Sequence, residues 1–207
     1  MKERQRFRST AYHSTVEVDE VEQNTTAEAV PFVIGDEAHP RVISWQSDFD
    51  LDVVVAEHAG YQRLPQPLTH RRTVQLDKRR RCWKVKDELS GEGTHDLAFR
   101  FHFGPGLETS VGPDGTIEVC DKMNGARLLI VASGLAVEPV LESRFCSRDY
   151  GAKEQSVSVC WNVRAALPVT AEFVLLPVCA DEDLNERLRL VNQLSKLAHE
   201  FLEAPSK

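Results

Sequence analysis

Alternation of apolar and polar residues organises most of this chain. In Leu97-Ala98-Phe99-Arg100-Phe101-His102-Phe103, the residues Leu97, Phe99, Phe101 and Phe103 share one side of an extended segment. Arg100 and His102 share the other, which is the signature of a strand with one buried face. Residues 156–163 repeat it, with Val157, Val159, Trp161 and Val163 alternating against Ser156, Ser158, Cys160 and Asn162. Shorter runs at 15–19, 51–55, 116–120, 127–132 and 169–176 read the same way. Residues 70–76 and 82–87 flank a polar stretch, Asp77-Lys78-Arg79-Arg80-Arg81, and together predict a hairpin. Pro113-Asp114-Gly115 is a turn, because Pro presets φ and Gly accepts a positive one.

The period changes only at the end. After Asp181-Glu182-Asp183, which places carboxylates at a helix N-terminus, Leu184, Leu188, Val191, Leu194, Ala198 and Phe201 recur at three- and four-residue steps. About ten short strands and one late helix predict an all-β fold: a large antiparallel β-sandwich with one C-terminal amphipathic α-helix. The sandwich domain is assigned residues 1–180, and the helix and tail 181–207. Phe99, Phe101, Val159 and Trp161 are the expected core, and no helix is expected before Asp181.

Composition narrows the function classes. The 207 residues carry a formal net charge of −7, so the whole molecule does not attract nucleic acid. No segment approaches the roughly 18 apolar residues of a membrane span, so no membrane partner is expected. The first residues lack the apolar stretch of a secretory signal, which reads as cytoplasmic, or as periplasmic if a signal precedes Met1. Cys82, Cys120, Cys146, Cys160 and Cys179 are widely spaced with no Cys-x-x-Cys pair, and read as free thiols. No two carboxylates sit at a spacing that proposes a glycosidase pair, and no serine lies in a nucleophile elbow.

Functional residue types crowd the opening of the chain. Arg6-Phe7-Arg8-Ser9-Thr10-Ala11-Tyr12-His13-Ser14-Thr15 approaches a strand through one histidine, and reads like the middle of a protein rather than its beginning. This segment resembles the Arg-Ser-Thr…His-Asn-Thr run of the heparinase II/III-like polysaccharide lyases, in the β-sheet domain that closes those enzymes. Further matches follow in order: Asp19 and Gln23, Gly60-Tyr61 before His70-Arg71-Arg72, Trp83 to Asp87, Gly91 to His95, and Phe101-His102-Phe103. Ser14 departs from the family's Asn.

The resemblance implies a sandwich that works against an N-terminal α/α toroid, with the substrate cleft between them. It implies β-elimination at a uronic-acid residue of an acidic polysaccharide, the two partners of this chain being that polysaccharide and the toroid. His13 matches the motif histidine, and so becomes the candidate catalytic residue. In members with a metal site that histidine completes a zinc site with a His and an Asp from a preceding segment. His13 is therefore also the candidate metal ligand, with zinc in the complete enzyme and none expected in this chain alone, since one imidazole does not fix zinc. Arg8, Tyr61, His70 and Arg72 are the candidate substrate-binding residues: Arg as a two-pronged partner for carboxylate or sulfate, Tyr as a platform for a sugar ring. Arg71 falls on the opposite strand face from Arg72. His58, His95 and His102 read as hydrogen-bonded polar residues, and Arg79 to Arg81 as a solvated hairpin tip. The fragment alone is expected to be inactive. The alternative reading is a non-catalytic sandwich that binds anionic glycan or serves as a scaffold.

Overall fold

The computed structural model describes residues 2–27, 29–30 and 32–202, and within these not the side chains of Lys2, Asn192 and residues 195–202. Strands dominate. In chain order they are β1 (Val16–Val18), β2 (Arg41–Ser47), β3 (Leu51–His58), β4 (Leu68–Asp77), β5 (Cys82–Gly91) and β6 (Thr94–His102). They continue as β7 (Glu108–Val111), β8 (Ile117–Cys120), β9 (Arg127–Ser133), β10 (Val140–Cys146), β11 (Glu154–Ala166) and β12 (Val169–Val178). Two antiparallel sheets result, one of order β1-β6-β11-β10 and one of order β2-β3-β4-β5-β12-β9-β8-β7.

The alternating residues of β6 and β11 close the core between the sheets. Register sets Phe99 beside Trp161 and Phe101 beside Val159. Phe173 of the facing sheet packs 5.1 Å from the Trp161 ring and 5.0 Å from that of Phe101. Phe99, Phe101, Val159 and Trp161 are all buried, as the alternation predicts. Such tilted and edge-on arrangements are those aromatic rings prefer. On the opposite side of the larger sheet, Leu129, Val174, Leu176 and Val178 form a second apolar patch. Helix α2 (Leu184–Leu202) covers it with Leu184, Leu188, Val191 and Leu194. The side chains of Ala198 and Phe201 lie outside the described residues.

Two features differ from the sequence expectation. A short helix, α1 (Lys2–Arg8), and a 3-10 turn at Thr10–Tyr12 precede the first strand. The α1 sequence consists largely of good helix formers, with Glu3 early and Arg6 and Arg8 late, which suits the helix dipole. Seven residues are too few for an apolar period to show. Strands β2, β7 and β10 add to those the alternation predicts, and all three lie at sheet edges. An edge strand has less burial to imprint a pattern. In β2 every residue is exposed, and a register shift between Val42 and Ser44 breaks the alternation.

The sheets are unequal in width, eight strands against four. Strands β2 to β4 form a wing on which Val42 and Trp45 are 64% and 69% exposed. His13 and its neighbours sit where this wing meets the smaller sheet.

Candidate functional site

The segment before β1 is fixed from both sheets. From the smaller sheet, the His102 amide donates to Ser14 Oγ at 3.0 Å, and the Arg100 amide to the Thr15 carbonyl at 3.1 Å. His102 Nε2 also donates to the Ala11 carbonyl at 3.1 Å. A carbonyl only accepts, so His102 carries its proton on Nε2. Burial, followed by the nearby Arg144 charge, pushes its pKa down to about 4. From the larger sheet, Arg72 Nη1 donates to the Ser14 carbonyl at 2.5 Å. Ser14 thus ties both sheets together, and His13 is the residue before it.

His13 itself is exposed. Its amide donates to the Thr10 carbonyl at 3.1 Å and its carbonyl accepts from the Thr15 amide at 2.9 Å. Its ring makes no hydrogen bond among the described residues. Asp19, six residues further on, is engaged by His95 at 2.6 Å and by the Asp96 amide at 2.9 Å, and Glu17 by Arg100. The backbone of His13 is thus fixed, while its exposed ring is left open to a ligand. His13→Ala is therefore expected to change unfolding free energy by no more than about 0.5 kcal/mol, measured by urea denaturation. A loss of about 2 kcal/mol or more would mean that the imidazole is a structural partner.

Behind the Arg72 contact lies a line of buried polar groups. Cross-strand register sets Arg72 beside Asp87 and His58 beside His70. Arg72 grips Asp87 with both prongs, Nε to Oδ1 at 2.6 Å and Nη2 to Oδ2 at 2.8 Å. His70 Nε2 reaches Asp87 Oδ1 at 2.7 Å, and His58 Nε2 lies 3.0 Å from His70 Nδ1. The Gly60 amide donates to His58 Nδ1 at 3.2 Å, which fixes the direction of the whole line. His58 Nδ1 accepts, so its Nε2–H donates to His70; His70 in turn donates to the carboxylate. Burial alone would raise the Asp87 pKa, but the Arg72 charge and the hydrogen bonds from His70 and Arg72 outweigh it and hold it below the usual carboxylate range.

The candidate residues divide accordingly. His13 and Arg72 meet at the same short segment, with His70 one step behind. His70, at 3% exposure, has no surface with which to bind a sugar, and its hydrogen bond to Asp87 gives it a structural role instead. Tyr61 is likewise not a sugar platform. It is fully buried, and its hydroxyl donates to the Val16 carbonyl at 2.8 Å. A Cβ on the preceding Gly60 would lie 2.6 Å from the Gln23 carbonyl oxygen, so only glycine lets the chain pass there. Arg72 is committed to Asp87 and Ser14 rather than free for a ligand. Arg8 lies apart in α1, with Nε on Gln5 Oε1 and Nη1 donating to the Val33 carbonyl at 3.0 Å.

Arg71 does turn to the opposite face, where it and Arg41 hold Glu57, Arg71 Nη2 lying 2.7 Å from Oε2. The basic tip is neutralised: Arg79 pairs with Asp50, Arg80 with Asp77 and Arg81 with Glu182. Sequence reasoning missed Asp87 as the centre of the site. Among the described residues no group of three or more His, Cys, Asp or Glu side chains is arranged to hold a metal. His13 offers a single imidazole, and one imidazole does not fix zinc.

No curated protein sequence matches the chain. Among solved structures, the heparinase III BT4657 gene product superposes with a TM-score of 0.70 at 22% identity, over 87% of this chain and 26% of its own. The heparan sulfate lyase HepC from Pedobacter heparinus gives 0.72 at 19% identity, over 88% of this chain and 26% of its own. A further heparinase III structure gives 0.68 at 18% identity, over 86% and 25%. At these identities the likeness is one of fold, and the chain spans about a quarter of the length of those structures. The model of the family described as "Heparinase II/III-like, C-terminal" matches residues 1–186. The chain belongs to the heparinase II/III-like C-terminal domain family.

Proposed function

We propose that this domain is the histidine-bearing half of the active site of a lyase that cleaves uronic-acid-containing polysaccharide by β-elimination. The observation that carries this reading is His13, an exposed imidazole on a segment tied to both sheets. In the elimination a base takes the proton next to the uronate carboxylate. The electron pair left on carbon becomes the new double bond, and the bond to the glycosidic oxygen breaks. That oxygen leaves with the bonding pair and is protonated by an acid. Imidazole and phenol suit both proton transfers, because their pKa values can be brought near the working pH. The carboxylate must also be neutralised as charge develops on it.

His13 supplies one proton-transfer group. The second group and the neutralising contacts come, in this reading, from a toroid domain outside the sequence described. Effective catalysis needs all of them held at near-attack distance on one sugar, so half a site is expected to have almost no rate. The test is absorbance of unsaturated uronate products from heparin-type, alginate and capsular polysaccharides, with zinc present. The 207-residue chain is expected to give no turnover, and the same chain joined to an upstream toroid to give it. His13→Ala in the joined protein is expected to lower kcat by about a hundredfold or more. Robust turnover by the chain alone would break the half-site reading. Binding without turnover in the joined protein would favour the non-catalytic glycan-binding module.

A further inference from the structure

A cavity of about 790 Å³ opens between α1 and the segment joining β10 to β11. Its walls are unusually aromatic for a protein in which 7% of residues are Phe, Trp or Tyr. Phe7 and Tyr12 meet edge to face at 5.5 Å on one side, and Phe145 lines the cavity from β10. Tyr150 stands at the rim beside Gly151, whose φ of +78° turns the chain, and its side chain is wholly in solvent.

The charge around these rings is opposite to that of the whole molecule. Arg4, Arg8 and Lys153 line the cavity against a single carboxylate, Glu3, in a chain of net charge −7. Lys153 Nζ lies 4.5 Å above the Phe145 ring and 3.3 Å from Glu3. An aromatic face covers the C–H face of a sugar, and a cation beside it pairs with a carboxylate or sulfate on the same ring. Tyr12, which lines the cavity, immediately precedes His13 in the chain, so the cavity borders the segment that carries the candidate catalytic residue.

We propose that this cavity is a subsite for an anionic sugar unit of the polysaccharide, with Tyr150 and Phe145 as its platform and Lys153 as its charge partner. It rests on the glycan-cleaving reading above, but Phe145, Tyr150 and Lys153 lie outside the Arg72–Asp87–His70 line and outside the His13 motif. The probe is a heparin-derived tetrasaccharide titrated into the 207-residue chain by calorimetry, with maltotetraose as the neutral control. Tyr150→Ala and Lys153→Gln are each expected to weaken binding by about fivefold while leaving the unfolding midpoint unchanged, since neither side chain is buried. Salt is expected to weaken binding, because an exposed charge contact is screened.

In the joined protein the same two variants are expected to raise KM with kcat held, the mark of binding shared by ground and transition states. Unchanged affinity in both variants, or no binding to the chain at all, overturns the subsite and leaves the lyase reading to its own assay. Equal affinity for maltotetraose overturns the anionic assignment. If tetrasaccharide binding depends on Tyr150 and Lys153 but the joined protein gives no turnover, the lyase reading fails and the cavity stands as a glycan site.

Discussion

Replacing Asp87 with alanine is expected to lower the unfolding free energy by about 3 kcal/mol or more. The carboxylate is fully buried and accepts from both Arg72 and His70. Truncating it leaves a guanidinium that is only 22% exposed, and a histidine at 3% exposure with a donor and no acceptor. Removing one partner of a buried ion pair is costly chiefly because of the charge left behind. For a domain of this size the loss corresponds to roughly 6–12 °C in unfolding midpoint. Asp87→Asn keeps the shape and one acceptor, and is expected to lose about half as much. The damage should also spread to His13, because Arg72 freed from Asp87 no longer holds the Ser14 carbonyl in place. Faster hydrogen exchange at the Thr15 amide, which donates to the His13 carbonyl, would register that loosening. A loss below about 1 kcal/mol for Asp87→Ala would show that water replaces the carboxylate and that the line of polar groups is not what fixes the segment.

Why Asp87 escaped a sequence reading, while much of the fold did not, comes down to register. Alternation in β6 and β11 names the buried face of each, because both strands are interior to their sheet and each has one face on the core. It does not say which residue stands opposite which. For β4 and β5 that information was within reach: the short polar tip fixes Asp77 opposite Cys82, and counting back from it sets Arg72 opposite Asp87. Arg72 then reads as an ion-pair partner rather than a ligand for sulfate. For β3 and β4 it was out of reach, because residues 59–67 make a long connection whose geometry no turn type dictates, so the pairing of His58 with His70 is tertiary information. Tyr61 misled for a related reason. Its position beside Gly60 looks like an exposed loop aromatic, and only the close approach of the Gln23 segment puts it inside. The match of the Arg-Ser-Thr…His segment was legible, but the means by which Ser14 fastens it to two sheets was not.

The same line of histidines is expected to make the domain acid-sensitive well above the range where carboxylates titrate. Burial, followed by the neighbouring His70 ring and the Arg72 charge, pushes the pKa of His58 down to about 4, so it folds as the neutral form. In the unfolded chain it titrates near the ordinary histidine value of about 6.5. Above that value both states are neutral there, and His58 adds no pH dependence. Below it the unfolded chain binds a proton that the folded domain refuses, so stability falls with pH until the folded pKa is reached. Between pH 8 and pH 5 this amounts to about 2 kcal/mol from His58. His102, also held down to about 4, adds to it in the same direction, but less, because its more open setting screens the effect. Asp87 acts lower still: its depressed pKa contributes stability that is lost only as pH falls through the carboxylate range. Urea unfolding at pH 8, 6.5 and 5 measures the slope. His58→Gln removes the titrating group, and its own loss between pH 8 and pH 5 is expected to be smaller than that of the unaltered chain by about 2 kcal/mol, whatever its stability at pH 8. Parallel pH profiles would mean that His58 accepts its proton in the folded state, and that the hydrogen bond from the Gly60 amide does not fix the direction of the line from His58 to Asp87.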